Sequence, residues 1–234
     1  MQNLDQKERG SVNLIWQCFL PVILYYVIHN AAAILGFSVM EMMKTKTALE
    51  FIMDSVWFYI EIFVKMAAMA LGGLAVYPYF KYEKSDKIPG KLGWQDMLLL
   101  TGGGSVLSLG MNFLFSVTGF TTGSEQYQQV AEAQFALPLW LGCIFYGILS
   151  PVVEEMVFRG IVYNALCRCV AEKMAIFGSA ILFGAFHGNI VQMVYAGVMG
   201  VVMAKVYQKY QNLLAPILFH GTANIAVYVL SYFF

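Results

Sequence analysis

The chain has 234 residues, of which 59% are hydrophobic and only 12% charged, with a mean hydropathy of +0.66. Ordinary soluble domains carry about 25% charged residues, so this composition excludes that class. It predicts an all-α, polytopic membrane bundle of about seven transmembrane helices, each needing about 20 apolar residues. Fourteen basic residues balance fourteen acidic ones, so the expected surroundings are a lipid bilayer, with no nucleic acid as partner.

The polar start, MQNLDQKERGS, has no cleavage site after a short apolar core, so the first run, at 12–37, is expected to be a retained anchor. His29 within it is read as a helix–helix contact, with cavity lining as the minor alternative. The second run, 53–77, holds Glu61 and Lys65 at a spacing that puts them on one helix face. They are read as a self-neutralising ion pair. A lysine-bearing polar linker, 81–96, leads into the third run, 94–117. Its Gly102-Gly103-Gly104 stretch lacks the Lys-Ser/Thr pair of a phosphate loop and is expected to permit close helix packing. The loop 118–135 contains no basic residue. It is read as a solvated connector with a short surface helix, a lid being the second choice. The fourth run, 136–170, is too long for one straight span, and Pro151 is expected to kink it. Runs at 173–187, 190–207 and 213–233 follow. Cys18, Cys143, Cys167 and Cys169 fit no zinc spacing and are read as small buried hydrophobes. With the N-terminus inside, inner segments hold ten basic residues and outer segments only Lys44 and Lys46. That asymmetry predicts a cytoplasmic N-terminus and an external C-terminus. The expected organisation is a single membrane domain, 1–234, with a catalytic core at 140–230 and three accessory helices with their loops at 1–135.

Three charged groups, Glu154, Glu155 and Arg159, sit inside the apolar fourth run as PVVEEMVFRG. Charges at bilayer depth are costly and tend to face a bundle interior or a cavity. Glu155 and Arg159 are four apart and meet on a helix. Glu154 is rotated by about 100° and lacks that partner. A carboxylate kept from water and from a counter-ion holds a proton more readily, which suits a general base. Phe183 and His187 share a face at the end of the fifth run, and His220 and Asn224 share one in the seventh. Counting about 1.5 Å per residue, His220 lies about 10 Å and His187 about 21 Å from their inner helix starts, so convergence requires kinks or tilts. The set supports peptide hydrolysis by an activated water, with His and Asn donors for the developing oxyanion. Zinc on one Glu and two His is the rival chemistry. A proton-coupled transporter also uses buried carboxylates and histidines, but matching inverted halves are absent from the sequence.

These patterns resemble the CPBP family (CAAX proteases and bacteriocin-processing enzymes, also called ABI), which includes the type II CAAX prenyl endopeptidases. Its motifs stand here as Glu154-Glu155-Met-Val-Phe-Arg159, Phe183-Gly-Ala-Phe-His187 and His220-Gly-Thr-Ala-Asn224. The resemblance covers about 140–230 and implies a bacterial intramembrane glutamic endopeptidase that needs no cofactor. It implies that Glu154 and His187 activate water, that His220 and Asn224 form the oxyanion site, and that Glu155 and Arg159 support them, with Phe183 leading the second motif. The expected partner is a peptide or protein substrate such as a secreted peptide, a bacteriocin leader or a membrane-anchored regulator. The alternative is an immunity or interaction protein without proteolysis.

Overall fold

Every apolar run is carried by a helix, because in lipid every backbone polar group must be satisfied within the segment. The computed structural model describes residues 2–44, 50–84 and 89–233, with side chains for 16–44, 56–83 and 89–233. Eight helices follow in order: α1 (Gln2–Lys44), α2 (Glu50–Lys84), α3 (Trp94–Val117), α4 (Glu125–Phe135), α5 (Leu139–Cys169), α6 (Glu172–Ala185), α7 (Ile190–Tyr210) and α8 (Leu214–Phe233). Among the described residues six are long and apolar enough to cross a membrane. The fifth apolar run is the exception. It forms only the 14-residue α6, about 21 Å long. Gly188, at φ +78°, turns the chain there, and Asn189 caps α7 by accepting the Gln192 N–H. The basic side chains of Lys7, Arg9, Lys46, Lys84 and Lys87, counted above for orientation, lie outside the described residues.

α1 packs along α2, α3 along α8, and α6 along α7, while α5 runs through the middle and touches α1, α2, α6 and α8. The apolar window of α5 is 67% buried, against 39% at most for any other span. Its charged groups are therefore shielded by protein rather than lipid. Small residues bring the spans close, as packing in lipid requires. A Cβ on Gly104 would come within 2.9 Å of Thr222 Oγ1, and one on Gly221 would strike the Gly147 carbonyl. Gly102, by contrast, has open space around it.

The distortion expected at Pro151 takes a specific form. Residues Phe145–Leu149 are π-helical, and a second π-helical stretch covers Met156–Tyr163. The Ser150 N–H reaches back five residues to the Phe145 carbonyl. In an ordinary α-helix it would bond Tyr146. The next candidate donor for Tyr146 is Pro151, which has no N–H. Its carbonyl is instead capped from α8 by Asn224 Nδ2 at 2.9 Å. One proline thus fixes where α5 opens and what α8 must supply.

At one end of the bundle Arg168 pairs with Glu83, Tyr210 donates to Asp96 at 2.9 Å, and Asn212 donates to the Gly90 carbonyl at 2.8 Å. Cys18 Sγ lies 3.9 Å from Cys169 Sγ. The uniform reading of the cysteines as buried is corrected here. Cys18 is buried, but Cys167 and Cys169 are exposed. At the other end Ser124 Oγ caps α4 by accepting the Tyr127 N–H, and Tyr228 donates to the Leu137 carbonyl at 2.6 Å. The connector reading of 118–135 also changes. Tyr127, Val130 and Gln134 of α4 face inward onto a cavity, and burial raises the pKa of the Tyr127 phenol.

Candidate active site

Glu154 lies halfway along α5 and is 8% exposed. It is not without a partner. Ser150, one turn earlier on the same face, donates its hydroxyl to Glu154 Oε1 at 2.5 Å. Glu154 Oε2 stands 3.8 Å from His220 Nε2. None of the three motifs includes Ser150. The i−4 spacing that paired Glu155 with Arg159 would have found this bond too.

Glu155 and Arg159 are both fully buried and pair at 2.8 Å. Glu155 Oε1 also meets His220 Nδ1 at 2.9 Å. A carboxylate only accepts hydrogen bonds, so Nδ1 carries the proton and donates. His220 therefore turns Nε2 toward Glu154, and one imidazole bridges both glutamates. Arg159 Nη2 donates to the Gly200 carbonyl of α7 at 3.0 Å. Its guanidinium lies 4.5 Å over the Phe183 ring, a cation–π contact strengthened by desolvation. Phe183 is also edge-on to His187 at 4.9 Å and to His220 at 5.7 Å. The phenyl ring of the second motif is thus the wall against which both imidazoles and the arginine rest, a role its spacing alone did not reveal.

His187 sits on the turn after α6. Its Nδ1 is 2.8 Å from the Phe183 carbonyl, and a carbonyl also only accepts. Nδ1 is therefore the donor, and Nε2 keeps its lone pair. Asn224 commits one amide N–H to Tyr146 and retains a second. Glu154, His187, His220 and Asn224 all line one cavity of about 740 Å³, within the range of pockets that hold small ligands. It extends past Glu61 and Lys65, which pair at 2.7 Å and are half-exposed, to the inner face of α4. His29 also lines it. Among the described residues no group of three or more His, Cys, Asp or Glu side chains is arranged to hold a metal ion.

Residues 136–226 match the model of a family described as "Type II CAAX prenyl endopeptidase Rce1-like". That segment contains every residue of the cluster just described. The chain is also 28% identical over 117 residues to "Putative membrane peptidase YdiL" of Bacillus subtilis (strain 168). The match covers 50% of this chain and 47% of that relative, so the chain aligns with about half the length of the curated relative it matches. No solved structure matches it. The buried Glu-Glu-Arg helix, the Phe-His turn and the His-Asn helix stand in that order inside the one segment, 136–226, in which this multi-pass membrane chain is similar to the type II CAAX prenyl endopeptidase Rce1-like family.

Proposed function

We propose that the chain is an intramembrane glutamic endopeptidase that hydrolyses a peptide bond in a membrane-associated or secreted peptide or protein. Glu154 takes one proton from a water whose other O–H donates to the His187 Nε2 lone pair, and the water oxygen adds to the scissile carbonyl carbon. The tetrahedral oxyanion is held by the remaining Asn224 N–H and by His220 as an imidazolium, whose Nε2–H donates to the oxyanion while its Nδ1–H stays on Glu155, as donors hold such intermediates in acyl transfer. Glu154 then returns the proton to the leaving amine as the C–N bond breaks. Glu155 and Arg159 keep His220 in place. The reaction uses no metal and no other cofactor.

The observation that carries this reading is a buried carboxylate halfway along the central helix, 3.8 Å from an imidazole and lining a cavity of about 740 Å³. The relative named as a membrane peptidase supports the general activity. The test compares membrane and secreted peptides by mass spectrometry in cells carrying the wild-type chain, Glu154→Gln or His187→Ala. Cleavage products are expected with the wild type only, at equal protein levels and equal thermal stability. General acid–base groups contribute about 10²- to 10⁴-fold, so full cleavage by either variant refutes the assignment. Activity is expected to survive strong chelation in protein shown by elemental analysis to be metal-free.

A further inference from the structure

Cys18 of α1 and Cys169 at the end of α5 face each other with their sulfurs 3.9 Å apart, although they stand 151 positions apart in the chain. The residues beside them meet as well. Arg168 donates to Gln17 Oε1 at 2.9 Å and pairs with Glu83 of α2. Two consecutive residues of α1 therefore touch two consecutive residues of α5, and α2 is joined through the same arginine. The register that brings the thiols together is held by an ion pair and a hydrogen bond, independently of the sulfurs.

The two thiols differ in access. Cys18 is 1% exposed, whereas Cys169 is exposed. An accessible thiol poised next to a resolving one is the arrangement of a redox-responsive pair. A disulfide holds its sulfurs at about 2.05 Å, so these two must close by about 1.9 Å. Both turns have slack for that. Cys169 is the last residue of α5, and its thiol donates to the Ala165 carbonyl at 3.3 Å, a weak bond that is easily given up. On α1, Pro21 lies inside the helix and has no N–H for the Gln17 carbonyl, so the turn that carries Cys18 lacks one backbone bond. Cys167 is rotated by about 200° from Cys169 and does not share its approach to α1.

We propose that Cys18 and Cys169 form a reversible dithiol–disulfide pair, a modification site that fastens α1 to the end of α5 when low-molecular-weight disulfides accumulate. The Cys169 thiolate attacks one sulfur of a disulfide such as glutathione disulfide. A mixed disulfide forms and one glutathione thiolate leaves. The Cys18 thiolate then attacks the Cys169 sulfur, the new S–S bond closes, and the second glutathione thiolate leaves. Two electrons pass from the pair to the small disulfide, and the two cysteine protons end on the two glutathione thiols. The pair lies at the Arg168 end of the bundle, where the basic excess leads us to expect the cytoplasm. Thiols rest reduced there, and disulfides are transient. α1 also forms one wall of the cavity through His29, Ala33 and Phe37, so the bond ties that wall to the helix that carries Glu154.

The experiment equilibrates the full wild-type chain in detergent with glutathione buffers running from fully reduced to fully oxidised. The samples are quenched in acid, alkylated and digested. Mass spectrometry is expected to find peptides linked through Cys18 and Cys169 within single chains, rising with oxidation and lost on adding dithiothreitol. In Cys18→Ala, Cys169 is expected to keep one glutathione, because the resolving thiol is gone. The unfolding temperature of the oxidised wild type is expected to shift upward, since closing a long loop restricts the unfolded chain, and that shift is absent from Cys18→Ala. Both thiols still alkylated in fully oxidised buffer would overturn the pairing, as would a bridge through Cys143 or Cys167 or links formed only between chains. A bridge already complete in membranes from unstressed cells would overturn its reversibility. The mapping needs neither a substrate nor a variant, so it decides the pairing even where Cys18→Ala does not fold or the chain cleaves nothing.

Discussion

Arg159 is the residue on which most of the buried polar network leans. Its guanidinium meets Glu155, the Gly200 carbonyl and the Phe183 ring, and neither it nor Glu155 is exposed at all. Removing one partner of a buried pair leaves an uncompensated charge and costs about 3–5 kcal/mol. Arg159→Gln is therefore expected to lower the unfolding temperature in detergent by a large margin, leaving Glu155 held only by His220 Nδ1. The double variant Glu155→Gln with Arg159→Met removes both charges and is expected to recover a good part of that loss, a coupling that a double-mutant cycle reads directly. Strictly additive losses would show that the pair is not coupled. At this scale the i,i+4 rule made Glu155–Arg159 legible in the sequence. It did not reveal that His220 would join them, because that contact spans 65 positions and depends on how α8 crosses α5.

Among the elements, α5 is distorted by its own sequence. Pro151 removes the N–H that would bond Tyr146, and Asn224 reaches from α8 to replace it. Pro151→Ala restores a donor beside that carbonyl and competes with Asn224. The expected result is unchanged or slightly higher thermal stability, with cleavage reduced about 10-fold or more, because one oxyanion donor alone is worth about 10²–10³ in kcat. Full activity in Pro151→Ala would show that the Asn224 orientation does not depend on the opened helix. Periodicity located α3 at 94–117 to the residue and α5 within three residues at each end. At 173–187 it also placed a helix, Glu172–Ala185, but that helix has only 14 residues before the turn at Gly188 and is shorter than the six long apolar ones. It also undervalued 118–135, since a polar helix over a cavity reads like any solvated helix until the cavity is seen.

For the molecule as a whole, the contacts of Arg168, Asp96 and Asn212 gather at one end of the bundle and α4 closes the other. The excess of basic residues belongs to the first end and is expected to be cytoplasmic. With the four native cysteines replaced by alanine, Thr122→Cys is expected to react with an impermeant thiol reagent added outside intact cells, and Lys91→Cys only after lysis. The reverse pattern would invert the topology. Composition and the long continuous apolar runs determined that this is a helical membrane protein, because runs of about 20 apolar residues match a helix that crosses the bilayer and satisfies its own backbone. Spacing determined which side chains share a helix face. Only the tertiary structure decided that His187 and His220 rest on one phenyl ring and that His220 bridges two glutamates. Those contacts are made between helices, and the crossing of helices is set by glycines and a proline whose consequences appear only once the helices have packed.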